Sequence, residues 1–189
     1  VCSSDLSELL IPRERIRVQD LCEPWDLGRR FDMALCLEVG EHLPLSAATT
    51  LIRSLTRHTD HVIFGAAGPG QAGQHHVNCQ PPEYWQGIFN QNGFACFDDV
   101  RWRIWNDSNV EPWYRQNMFS AIKKPELAGD EPRVPFVIHP AMLAQGLDRP
   151  IRADEIRRIE SGSMPITWYP AALVKAVVNK VRRLGKSKY

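Results

Sequence analysis

Residues 33 to 37, Met-Ala-Leu-Cys-Leu, form an unbroken apolar run of strand length. They are entered through Phe31-Asp32 and followed at once by Glu38-Val39-Gly40-Glu41-His42-Leu43. Such a run reads as a strand buried on both faces, the kind found in parallel sheets covered by helices. In open α/β sheets, ligands sit outside the carboxyl ends of the strands, where the strand order reverses. Two carboxylates and an imidazole at the end of a buried strand mark a candidate for that place.

The flanking sequence supplies more of the same architecture. Ile16 to Leu21 alternates apolar and polar residues and predicts a short strand ending at Asp20. Ala47, Ala48, Leu51, Ile52 and Leu55 recur at helical spacing within residues 46 to 58, with Pro44 placed to open the helix. His61 to Ala67 predicts a second buried strand, so strand, helix and strand make a right-handed βαβ unit. Pro81-Pro82-Glu83 opens a further helix that Gly93 ends. Phe94 to Phe97 with the alternating Val100 to Trp105 predicts a strand or bent strand pair, and Asn117 to Ile122 a last strand. The fold class is α/β.

Between the second strand and the next helix lies the loop of residues 68 to 81, with Gly68, Gly70 and Gly73, followed by His75-His76-Val77-Asn78-Cys79. Imidazole titrates near neutral pH, which makes His76 a candidate general base or substrate orienter, with Asn78 beside it. Adjacent histidines rarely reach one ion together and no fourth ligand stands at a useful spacing from His75, His76 and Cys79, so no metal is expected. Neither G-x-x-x-x-G-K-[ST] nor G-x-G-x-x-G occurs, which removes the phosphate-cradle reading.

The segment from Asp32 through Glu38, Val39, Glu41, His42 and Leu43 resembles the fourth-strand motif of class I S-adenosylmethionine (SAM) dependent methyltransferases. There an F-D-x-(apolar) strand runs into E-V-x-E-H-(apolar). The resemblance implies a Rossmann-like sheet with helices on both faces and strand order 3-2-1-4-5-7-6, of which strands three to seven are placed here and strands one and two are not. It implies SAM as cofactor and a small-molecule or sugar-like acceptor. Asp20 and Leu21 match the position that touches the adenine ring, and Leu37, Glu38 and Val39 the floor of the cofactor pocket. His76-Val77-Asn78 are similar to the family's H-(apolar)-N/R element, which makes His76 and Asn78 the acceptor-side residues. Glu41 and His42 are expected to cap and brace the following helix. Trp113 to Asn117 resembles a run from a bacterial subgroup of these enzymes, where aromatic rings beside Arg and Gln line a pocket or form a core edge.

The expected organisation is a non-native leader over residues 1–6, the C-terminal part of a methyltransferase domain over 7–124, and an irregular tail over 125–189. On this reading the chain is an N-terminally truncated fragment that binds SAM weakly or not at all. The tail carries a basic amphipathic helix, with Pro170, Leu173, Val174, Val177, Val178, Val181 and Leu184 on one stripe. It is expected to dock on its own domain or a dimer mate, or to make weak contact with a membrane surface or protein. The competing class is a non-catalytic methyltransferase-like module that binds a partner through this helix. A nicotinamide-dependent oxidoreductase would want a glycine fingerprint that is not found. A net charge of +1 gives no general attraction to nucleic acid, and the five cysteines, none in a C-x-x-C pair, suit reduced thiols in a cytoplasm.

Overall fold

The computed structural model describes residues 12 to 147 and, beyond them, residues 158, 161–163, 166, 170 and 174. The leader expected over residues 1–6 and nearly all of the basic helix expected near the C-terminus lie outside the described residues.

The apolar runs give the strands. β1 (Ala34–Leu37), β2 (His61–Gly65), β3 (Phe94–Phe97) and β4 (Phe119–Lys123) form one four-stranded sheet in the order β1-β2-β4-β3. β1 and β2 are parallel, with Leu37 opposite Gly65, while β4 runs antiparallel to both β2 and β3. The chain is thus a mixed α/β structure. α1 (Ala48–His58) follows a 3-10 turn at Leu45–Ala47 behind Pro44, and α2 (Pro82–Gln91) begins on proline, as their sequences require. Gly93, with φ 76°, closes α2 in the left-handed region where a glycine fits best.

The core lies between these two helices and one face of the sheet. Leu51, Ile52 and Leu55 of α1 and Trp85, Ile88 and Phe89 of α2 pack against Val62, Phe64, Phe94, Cys96, Phe119 and Ala121. Phe64 is its centre, with ring centroids 5.0 Å from Trp85, 5.4 Å from Phe89 and 5.6 Å from Phe119. Tilted and edge-on aromatic pairs of this kind add about 0.5–1.5 kcal/mol each beyond the area they bury. The proline-rich stretch after β4 docks on α2, where Val134 N–H donates to Gln86 Oε1 at 2.8 Å and Phe136 N–H to Glu83 Oε1 at 3.3 Å.

Three expectations are corrected. Ile16 to Leu21 is not a strand, and Val18 is 73% exposed. Alternation alone forms no strand without a ladder partner, so strands three to seven reduce to four strands among the described residues. Among the described residues β1 is an edge strand, and it is not buried on both faces as expected: Cys36 is buried, but Met33 and Leu35 are 47% and 62% exposed. Val100 to Trp105 is not a strand but contains α3 (Val100–Ile104), followed by α4 (Pro112–Asn117).

Its alternation misleads because the residue turned inward is Arg101, fully buried, while Trp102 is half exposed. Arg101 pairs with Asp98 through Nη2–Oδ2 at 2.7 Å and Nε–Oδ1 at 2.6 Å, and donates to the Gln116 and Pro135 carbonyls. Ser120 Oγ donates to Asp99 Oδ1 at 2.7 Å, which sets α3 against the sheet face opposite α1 and α2.

Two outcomes follow for the folded chain. Arg101→Ala should lower the unfolding free energy by about 3–5 kcal/mol in urea denaturation, since it strands Asp98 and two carbonyls. Leu35→Lys should reduce concentration-dependent association measured by light scattering without lowering stability, because an open apolar edge is a template for pairing.

Candidate functional site

The parallel pairing of β1 and β2 puts both carboxyl ends at the same edge of the sheet, and the Glu38 N–H extends the ladder by donating to Gly65 O at 2.8 Å. There the backbone of Glu38 turns into the left-handed region, with φ 52°. Such a conformation costs a non-glycine residue on the order of 1 kcal/mol and clusters at functional sites. A 3-10 turn over Gly40–His42 follows. Gly40 is required by close approach, since a Cβ there would stand 2.7 Å from the Trp85 ring.

The loop after β2 folds back onto this corner. The Glu41 carbonyl accepts the N–H groups of both Val77 and Asn78, at 2.8 and 3.0 Å, and Asn78 Nδ2 donates to Gly40 O at 3.4 Å. His76 is thereby held edge-on to His42, with ring centroids 5.0 Å apart. One ligating atom from each of Glu41, His42 and His76 lies within 4.8 Å of the others. His76 Nδ1 sits 3.2 Å from the Gln71 carbonyl; as that oxygen can only accept, Nδ1 is the donor of this bond. His75, its exposed neighbour, has φ 56°.

Glu38 is held from the other side. Asn117, the last residue of α4, donates Nδ2 to Glu38 Oε1 at 2.9 Å, and Gln71 Nε2 donates to Oε2 at 3.1 Å. Asn117 also donates to Gln71 Oε1 at 3.0 Å, and Gln116 donates to Asn117 Oδ1 at 3.2 Å. Burial pushes the Glu38 carboxyl up to about 7, against the lowering effect of the Asn117 bond, and the nearby Glu41 carboxylate raises it further. Burial likewise raises the Glu41 carboxyl; its own amide, that of Ala67 and the Glu38 carboxyl moderate the effect. Glu41 is fully buried, yet neither of its side-chain oxygens has a hydrogen-bond partner of good geometry.

The expected site residues divide into two groups. Leu37, Glu38, Val39, His76 and Asn78 converge on this corner, Asn78 as a buried brace whose amide grips the Gly40 carbonyl. Asp20 and Leu21 form a turn closed on itself by Cys22 N–H donating to Asp20 Oδ1 at 2.9 Å.

Glu41 and His42 do not cap the next helix: no side chain caps it, and His42 Nδ1 is buried without a partner. His76 meets Glu41 and His42, and not His75 and Cys79, the grouping weighed from the sequence. Sequence reasoning missed the Gln71 amide, and reached Gln116 and Asn117 only as part of the Trp113 to Asn117 run, without their bonds to Glu38 and Gln71. A further signal for these two was their place as a polar pair immediately before an apolar strand.

Between the unfolded carboxyl range and about pH 7, the unfolded chain has released the Glu38 proton while the folded chain still holds it. Stability from this group is therefore fully present at low pH and is lost as the pH rises toward neutrality. In metal-free buffer the denaturation midpoint should fall from pH 5 to pH 7.5 (on the order of the window set by the two pKa values), and Glu38→Gln should flatten that fall. No model of a known protein family matches the chain, and comparison with curated proteins and with solved structures likewise gives no match.

Proposed function

We propose that the protein is a SAM-dependent methyltransferase acting on a small-molecule or sugar-like acceptor. The observation that carries the reading is the sheet itself: its order β1-β2-β4-β3, with β4 antiparallel to both neighbours, corresponds to strands 4-5-7-6 of the order that family has. In support, the polar corner and the histidine-bearing loop meet at the carboxyl ends of two parallel strands, where ligands of open α/β sheets sit.

SAM would supply a methyl group activated on a sulfonium. Of the residues expected to hold it, Leu37, Glu38 and Val39 stand at the strand end, with the Glu38 carboxylate fixed by two side-chain amides. Asp20 and Leu21 supply a turn whose Leu21 packs against the core, and a G-x-G-x-G loop and an acid ending a neighbouring strand are not among the described residues. On the acceptor side, His76 turns Nδ1 to the Gln71 carbonyl, which leaves Nε2 as the nitrogen that would take a proton from a hydroxyl as it attacks. The remaining work is positioning, for which the doubly bonded Glu41 carbonyl holds the loop in register.

Produced from the longest reading frame that encodes it, the protein should bind SAM in calorimetry. It should also release S-adenosylhomocysteine when given hydroxyl-bearing acceptors, with His76→Ala lowering the rate about 100-fold or more. A product of that frame with no SAM binding and no turnover overturns the reading.

A further inference from the structure

We propose that Glu41, His42 and His76 form a binding site for a divalent transition-metal ion at the carboxyl ends of β1 and β2. Three observations carry it. The first is the grouping, with donor atoms of two imidazoles and a carboxylate within 4.8 Å of one another. Donors side by side around an ion with bonds near 2.1 Å stand about 3.0–3.5 Å apart, so closing the site needs only rotamer adjustment. The second is that both Glu41 oxygens and His42 Nδ1 are buried without a hydrogen-bond partner of good geometry. Burying such groups unpaired costs several kcal/mol, and a coordinated cation removes that cost.

The third observation is the support behind the donors. The Gln71 carbonyl on His76 Nδ1 fixes the tautomer that leaves Nε2 free, the usual arrangement behind a metal-bound imidazole. Gly73 clears the space around that nitrogen, since a Cβ there would fall within 2.1 Å of His76 Nε2. A backbone strained at Glu38 and His75, on either side of the cluster, is consistent with a corner shaped for a ligand.

Two imidazoles and one carboxylate select borderline ions such as Zn²⁺ or Co²⁺ over Mg²⁺ and Ca²⁺, which prefer all-oxygen shells. Three protein donors leave at least one coordination position for an external oxygen. A hydroxyl bound there loses its proton more readily, so the ion takes over the proton-labilising role given above to His76. That consequence rests on the methyl-transfer reading; the site does not.

The test strips the purified protein with a chelator and titrates it with ZnCl₂ and CoCl₂ by calorimetry, following Co²⁺ also by its visible absorption. One ion per chain should bind, with Mg²⁺ giving no saturable heat. Glu41→Gln, His42→Ala and His76→Ala should each weaken binding about ten-fold or more, and Gly73→Ala should weaken it by displacing His76. His75→Ala should leave it unchanged. Stripped Glu41→Gln should be at least as stable to urea as the stripped parent, because it loses a buried unpaired carboxylate; a purely structural Glu41 predicts the opposite. The proposal is overturned by the absence of saturable binding, by equal affinity in all variants, or by a destabilised Glu41→Gln that still binds the ion. Should Glu41→Gln fail to fold, His76→Ala and Gly73→Ala decide the matter. Ion binding can succeed where SAM binding fails, so the two readings are separable.

Discussion

The Glu41 carbonyl, accepting two consecutive backbone N–H groups from the loop after β2, is the contact on which the site depends. One residue of a tight turn thus presents its backbone outward to fasten the loop and its side chain inward toward two imidazoles. Everything chemical about the corner follows from that double use. Without the staple, His76 would be an exposed loop histidine like its neighbour His75, and Glu41 a buried acid with nothing beside it. The fastening is by main chain, so it specifies where the loop lies without specifying what side chains the loop carries.

Beneath the staple is a packing constraint. Gly40 lies on the Trp85 ring, and Trp85 packs on Phe64 at the centre of the core. The corner's position is therefore set by the hydrophobic core and not by polar contacts alone. The two carboxylates are treated differently from the same side of the sheet: Glu38 is given side-chain amide donors from α4 and the loop, while Glu41 is given none. Both are raised by burial; side-chain amides offset the effect at Glu38, and at Glu41 the offset comes from its own amide, the Ala67 amide and the Glu38 carboxyl.

Most of the scaffold was legible because it is written in apolar runs. The residues of β1, β2, β3, α1 and α2 could be placed from periodicity and from Pro44, Pro82 and Gly93, since their burial follows their hydrophobicity. The failures share a cause. Arg101 is buried by charge pairing, so its surroundings look like an alternating strand when they are a helix. Ile16 to Val18 alternates correctly and still forms no strand, because a strand needs a partner that no single segment can announce. At the site, Glu38, His76 and Asn78 were found from their chain neighbourhoods. The trio of Glu41, His42 and His76 was not, since it is made by a loop returning across more than thirty residues (residues 41 to 76).

Among the described residues β1 is bonded on one side only, which bears on how long the site persists. Opening of a protein is not uniform, and a boundary strand can detach at a free energy well below that of global unfolding. The corner is the continuation of such a strand, so its lifetime is set by fraying of β1 from β2 and not by the durability of the aromatic core. A ligand gripping both the corner and the returning loop would act as a clasp across that seam, and would slow amide exchange in β1 far more than in β4.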